Sequence, residues 1–190
     1  MQGETQLFSG YEERMKMQMA DITPRAGEPA PFEIERKFLI AYPDIGWLQR
    51  NPACCRAEIV QTYLRSGDGD EIRVRQREEN GQCTYYKTIK RRVSDIKRIE
   101  IENQISFEEY QACLMDADPA KRQICKTRYC LTHERQCFEI DVYPFWSDRA
   151  IMEIELTDEN AEIAFPKEIR IIREVTGDRA YKNAALAEML

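Results

Sequence analysis

The feature that most constrains this chain is an alternation that carries charge. Residues 32–40 read Phe-Glu-Ile-Glu-Arg-Lys-Phe-Leu-Ile. In a strand, successive side chains point to opposite faces. Glu33, Glu35 and Lys37 then share one face, Phe32, Ile34 and Phe38 share the other, and Arg36 alone breaks the apolar row. The same device returns at Arg73/Arg75/Arg77, Arg98/Glu100/Glu102, Lys126/Arg128, Glu139/Asp141 and Glu153/Glu155. One architecture that fits is an open antiparallel sheet with a solvated charged face. The other is a closed barrel whose charged faces line a lumen, which also removes the sheet's edges. A solvated face would mix Ser, Thr, Asn and Lys, whereas here arginines gather on one strand and carboxylates on another. The barrel is therefore the expectation.

Local signals mark out the elements. Strands are expected over residues 58–65, 71–77, 82–90, 98–102, 121–132, 137–143 and 150–156, each with alternating character. Asn80-Gly81 is a strong hairpin turn, and residues 133–136 turn the next pair back. Ser106-Phe107-Glu108-Glu109 has the pattern of a capping box and predicts a helix to about Met115. A short helix is expected over residues 157–165, and a helical tail after Gly177, with Asp178 as its N-cap. Residues 1–31 end in a Pro- and Gly-containing linker and read as a loosely ordered extension. Docking on the barrel, or on a second subunit in a homodimer, is the alternative. The main domain then spans residues 32–190.

Composition excludes several classes of partner. A net charge of −6 argues against nucleic acid, although 28 Lys and Arg are enough to gather around a small anion. No apolar run approaches the roughly 18 residues of a membrane-spanning helix, and no basic-then-apolar leader opens the sequence. The seven cysteines show no metal-type CxxC pair. They read as reduced thiols of a cytoplasmic protein. The single histidine, His133, falls in a turn.

The charged faces themselves point to chemistry. Acids and bases crowded into a confined space are costly unless something binds there. Neighbouring acids call for a divalent cation, and neighbouring bases call for a polyanion. A polyphosphate chelated by Mg²⁺ or Mn²⁺, hard cations that prefer oxygen, answers both.

Glu33-Ile34-Glu35-Arg36-Lys37 resembles the ExExK signature of the CYTH superfamily, the triphosphate tunnel metalloenzymes. Further motifs follow in the family's order: Arg73-x-Arg75, Thr88-Ile89-Lys90, Arg98-x-Glu100-x-Glu102, Lys126-x-Arg128-Tyr129, Glu139-x-Asp141 and Glu153-x-Glu155. Residues 174–178, with Tyr181 and Asn183, are similar to the bacterial short-chain branch. Phe138 departs from the pattern, standing where a tryptophan is expected.

The resemblance implies a mainly-β α+β fold, a closed eight-stranded antiparallel β-barrel with helices packed outside and a C-terminal helix. It implies a metal-dependent hydrolase that cleaves inorganic triphosphate to diphosphate and phosphate. Relatives on the same scaffold include class IV adenylyl cyclase and thiamine triphosphatase. A non-catalytic polyphosphate-binding module is a further alternative.

Lys37, Arg73, Arg75, Lys90, Lys126 and Arg128 are expected to hold phosphate. Arg98 either joins them or braces Glu100 and Glu102, and Lys182 approaches from the tail. Glu33, Glu35, Glu153 and Glu155 are the first metal ligands, with Glu102 and Asp141 for a second ion or for orientation. Glu33, Glu35, Lys37 and Glu155 carry the catalytic expectation.

Overall fold

In the computed structural model, residues 34–67, 70–92, 98–156, 158 and 160–189 are described. The expectations for residues 1–31 and for Glu33 lie outside them. In chain order the elements are β1 (Ile34–Ala41), α1 (Ile45–Arg50), β2 (Cys54–Leu64), β3 (Glu71–Glu79), β4 (Gln82–Arg92) and β5 (Arg98–Ile105). Then follow α2 (Phe107–Leu114), β6 (Ile124–His133), β7 (Gln136–Val142), β8 (Arg149–Leu156), β9 (Ile171–Glu174), a 3₁₀ turn (Arg179–Tyr181) and α3 (Asn183–Met189). None of the described helices is long and apolar enough to cross a membrane.

The strands form one antiparallel sheet in the order β5-β4-β3-β2-β6-β7-β8-β1-β9. The sheet therefore has nine strands rather than eight. The extra strand is β9, a short segment that pairs with β1 through a register shift between Leu39 and Ile40. Among the described residues no ladder joins β5 to β9, so closure into a barrel is not seen. Both tight hairpins use left-handed backbone, which matches the twist of the strands they join. Asn80 and Gly81 have φ of 51° and 78°, and Glu134 and Arg135 have φ of 46° and 65°.

The sheet is nevertheless strongly curved. Lys90 on β4 is near enough to Glu35 on β1 to oppose, in part, the rise that burial and Glu153 give its carboxyl. Six strand steps separate the two, about 29 Å in a flat sheet at ordinary strand spacing. The concave face carries the charges, and the convex face carries the largest apolar cluster.

One convex cluster joins Phe38, Ile40, Tyr129, Leu131, Phe138, Ile140, Met152 and Ile154 beneath Leu48 of α1 and Ile169. Another joins Leu64 and Val74 to Tyr110 of α2. Helix α2 starts as the sequence predicts, since the Ser106 hydroxyl accepts from Glu109 N–H and the Glu109 carboxylate accepts from Ser106 N–H. Each aliphatic side chain buried in these layers contributes about 1.5–3 kcal/mol.

A third cluster lies on the concave side. Leu39, Ile124 and Ile151 stand two residues along from Lys37, Lys126 and Glu153, and so share their faces. They pack with Tyr63, Tyr143, Val175 and Leu186 and Ala187 of α3. The C-terminal helix thus forms an apolar floor beside the charges instead of joining the outer layer.

The helix expected over residues 157–165 is absent where that segment is described. Tertiary contacts override local propensity there. Ala164 N–H donates to Gln136 Oε1, Gln136 Nε2 donates to the Glu162 carbonyl, and Phe165 packs edge-on against Phe38 at 5.0 Å.

Candidate functional site

Strand register brings the predicted residues together. In an antiparallel pair, directly opposed residues share a face. Lys37 opposes Glu153 and Glu35 opposes Glu155 across β1–β8. Arg128 opposes Asp141 across β6–β7. Arg73 opposes Thr88 across β3–β4, and Thr88 and Lys90 oppose Glu102 and Glu100 across β4–β5. Alternation of residue type along each strand therefore assembles the charges on one wall.

Two regions make up this wall. On β6, β7 and β8, Lys126, Arg128, Asp141 and Glu153 are buried. Asp141, with a side chain 0% exposed, accepts from Lys126 Nζ at 2.5 Å and from Arg128 Nε and Nη2 at 2.7 Å each. Arg128 also donates to Glu139 and reaches Glu153 at 3.2 Å. Lys37 Nζ lies 2.6 Å from Glu153 and 3.5 Å from Glu35.

Burial would raise the carboxyls of Asp141 and Glu153. The guanidinium of Arg128 and ammonium of Lys126 hold Asp141 down instead, and Lys37 leads in holding Glu153 down. Lys126 pays the opposite way: burial, then the neighbouring Arg128, bring its ammonium down to about 8. Lys37 is also penalised by burial, but Glu153 and Glu35 outweigh that and raise it.

On β3, β4 and β5 the pairs are simpler and wetter. Arg75 Nη2 donates to both Glu102 oxygens at 2.7 and 2.5 Å, and the Thr88 hydroxyl donates to Glu102 at 2.7 Å. Burial would raise Glu102, yet Arg75 and Thr88 bring it below its ordinary value. Glu100 takes Lys90 at 2.7 Å and Arg73 at 3.4 Å. The Arg75 guanidinium lies over the Tyr86 ring at 5.9 Å.

The remaining expectations fall as follows. Arg98 is in β5 opposite Arg92, and its side chain lies outside the described residues. Lys182 follows the 3₁₀ turn, its backbone N–H donating to the Arg179 carbonyl at 3.1 Å. Among the described residues, no three His, Cys, Asp or Glu side chains are arranged to hold a metal ion. Glu35 nonetheless shows carboxylate crowding, since partial burial and then Glu153 raise its carboxyl.

The charge pattern missed several residues that reach this wall. Gln61 opposes Arg75, and Tyr63 opposes Arg73. Both are buried, and Gln61 Nε2 lies 2.7 Å from Tyr63 Oη. A period-two reading of β2 would have put Gln61 and Tyr63 on one face, but neither is charged. Thr176 was also missed as a support. Its hydroxyl accepts from Lys37 N–H at 3.1 Å, while Val175 N–H donates to the Lys37 carbonyl at 2.8 Å. Glu174 accepts from Thr176 at 2.6 Å and from Arg36 at 3.0 and 2.6 Å, tying β9 to the strand that carries Lys37.

No family model matches the sequence. The chain is 36% identical over 159 residues to the inorganic triphosphatase of Nitrosomonas europaea, a match covering 82% of this chain and 96% of that protein. It is also similar to a crystal structure of an inorganic triphosphatase, with a TM-score of 0.55 and 31% identity over 84% of this chain and 96% of that one. A protein from Pyrococcus horikoshii OT3 gives a TM-score of 0.50 at 20% identity, covering 68% and 80% of the two chains, and shows the fold alone.

Proposed function

Because this chain belongs to the CYTH family of triphosphate tunnel metalloenzymes, we propose that it hydrolyses the terminal phosphoanhydride of inorganic triphosphate, releasing diphosphate and phosphate. The observation that carries this reading is the convergence of six bases, Lys37, Arg73, Arg75, Lys90, Lys126 and Arg128, on one concave face interleaved with carboxylates. The edges of the sheet approach each other around the substrate to complete a tunnel.

The arginines and lysines divide the work of binding. Arg73, Arg75 and Arg128 present planar forks suited to two oxygens of one phosphate, and Lys37 and Lys90 supply compact point charges. Asp141 is assigned to bracing Lys126 and Arg128, because its oxygens are already committed to them. Glu35, Glu153 and Glu155, with Glu33, are the carboxylates suited to Mg²⁺ or Mn²⁺. Their crowding at Glu35 fits such a cation, which would neutralise charge on the phosphate oxygens. Phosphoryl transfer asks mainly for positioning and charge neutralisation. Lys37 and the arginines hold the terminal phosphate, and a carboxylate of the acidic set orients water in line with the scissile bond. Glu102 stays with Arg75 until phosphate takes that guanidinium.

The test is product analysis with triphosphate, ATP and thiamine triphosphate as substrates, each with Mg²⁺ and with Mn²⁺. Phosphate release from triphosphate should lead by kcat/KM and stop in EDTA. Cyclic AMP as the main product from ATP would establish a cyclase instead. Binding of triphosphate without turnover under either metal would establish a non-catalytic module.

A further inference from the structure

Gln61 is 0% exposed on β2 and shares the face of Arg75, its register partner. Its Nε2 lies 2.7 Å from Tyr63 Oη. The Arg73 guanidinium approaches the same hydroxyl and, with Gln61, opposes the upward push of burial on it. Two buried side-chain polar atoms here have no hydrogen-bond partner among the described residues: Gln61 Oε1 and Arg73 Nε.

Hydrogen-bond accounting decides what this arrangement is for. With the amide nitrogen donating to it, the Tyr63 hydroxyl has an O–H left over and the nearby amide carbonyl has no donor. Turning the amide by 180° removes both defects, because Tyr63 O–H then donates to Oε1. The Gln61 NH₂ is thereby released on the face it shares with Arg73, whose buried Nε–H has no acceptor among the described residues. What remains is a buried set of donors that lacks an acceptor, and buried donors are ordinarily paired. An oxyanion completes it.

We propose that Gln61 is a further phosphate-binding residue, its amide NH₂ and Arg73 Nε donating to a phosphate oxygen that settles on the concave face over β2 and β3. This rests on the triphosphatase reading above and adds to it an uncharged ligand. An amide senses the position of an oxygen without adding to the charge that must be balanced. Arg75, the register partner of Gln61, supplies the charge.

The test uses calorimetric titration of inorganic triphosphate into the full chain in EDTA, so that no turnover intervenes. Thermal melts check that each variant folds. Gln61→Leu should weaken binding about tenfold. Gln61→Glu is nearly isosteric and should weaken it about a hundredfold at pH 8, where a carboxylate meets the phosphate. At pH 5.5 that loss should shrink markedly relative to wild type, since a protonated carboxyl again donates. A residue that only packs would show no such pH-dependent recovery.

Gln61→Glu carries the test should Gln61→Leu not fold. Binding within twofold of wild type in the folded variants, or a Gln61→Glu deficit that is the same at both pH values, would overturn the role of Gln61. A wild type that binds no triphosphate overturns the parent reading, and this one with it.

Discussion

The β6–β8 and β3–β5 regions of the charged wall use the same residue types but hold them differently. In the first, Lys126 and Asp141 have side chains 1% and 0% exposed, and Arg128 touches three carboxylates. In the second, Arg75 and Lys90 each have a named acid, Glu102 and Glu100, that is about a third exposed (33% and 29%). Exposed pairs contribute little to stability, with a median near 0–1 kcal/mol. Removing one partner of a buried pair is far more damaging, because it strands a charge. The inner knot is therefore a brace, and the outer pairs are the contacts that can let go when phosphate arrives.

The largest expected effect tests the brace. Asp141→Ala leaves Lys126 and Arg128 buried without their shared acceptor and should cost about 3–5 kcal/mol of stability. Glu102→Gln, by contrast, should cost about 1 kcal/mol or less. Urea titrations of the two variants make the comparison. Equal losses would erase the distinction between the regions.

A smaller effect should appear in binding. Arg75→Ala removes a phosphate clamp from the wetter region and should weaken triphosphate binding by one to two decades, about 1.5–3 kcal/mol. Its melting temperature should stay close to wild type. A large loss of stability with unchanged affinity would make Arg75 part of the brace.

The smallest effect is on pH dependence and sharpens the account of the inner knot. Burial and Arg128 bring Lys126 to about 8 from an ordinary value of 10.5. The unfolded chain therefore binds more protons between those values. Lys126's contribution to stability accordingly rises with pH through that window. Triphosphate binding in EDTA should move the other way, weakening as Lys126 loses its proton above about pH 8. Melts and titrations from pH 7 to 9.5 read both slopes. Lys126→Arg should flatten both, because a guanidinium stays charged throughout.

The alternation of charge made the wall legible in the sequence, because strand geometry maps every second residue onto one face. It could not reveal Gln61, whose significance lies in an unpaired amide oxygen and not in a charge. Nor could it reveal β9, since Ile171–Glu174 is too short for a periodic signal and is held by pairing with β1. Strand β2 begins at Cys54, earlier than its β-branched run suggests, because Cys54 to Ala57 pair with β6 from Leu131 to Arg128. The Glu139/Asp141 pair was legible as inward-facing acids, but its division of labour was not. Only the contacts of Arg128 and Lys126 distinguish a carboxylate already committed from one with capacity to spare.

In this wall each of the six bases named above has an acid beside it. Such a site is quiet. A stray anion must pull a base away and strand its acid, and a stray cation must do the reverse. A ligand pair bearing both signs exchanges partners on the two sides together, so each binds more tightly with the other present than alone. The site then favours metal and polyphosphate arriving together. Each would raise the other's affinity by the same factor, as thermodynamic linkage requires.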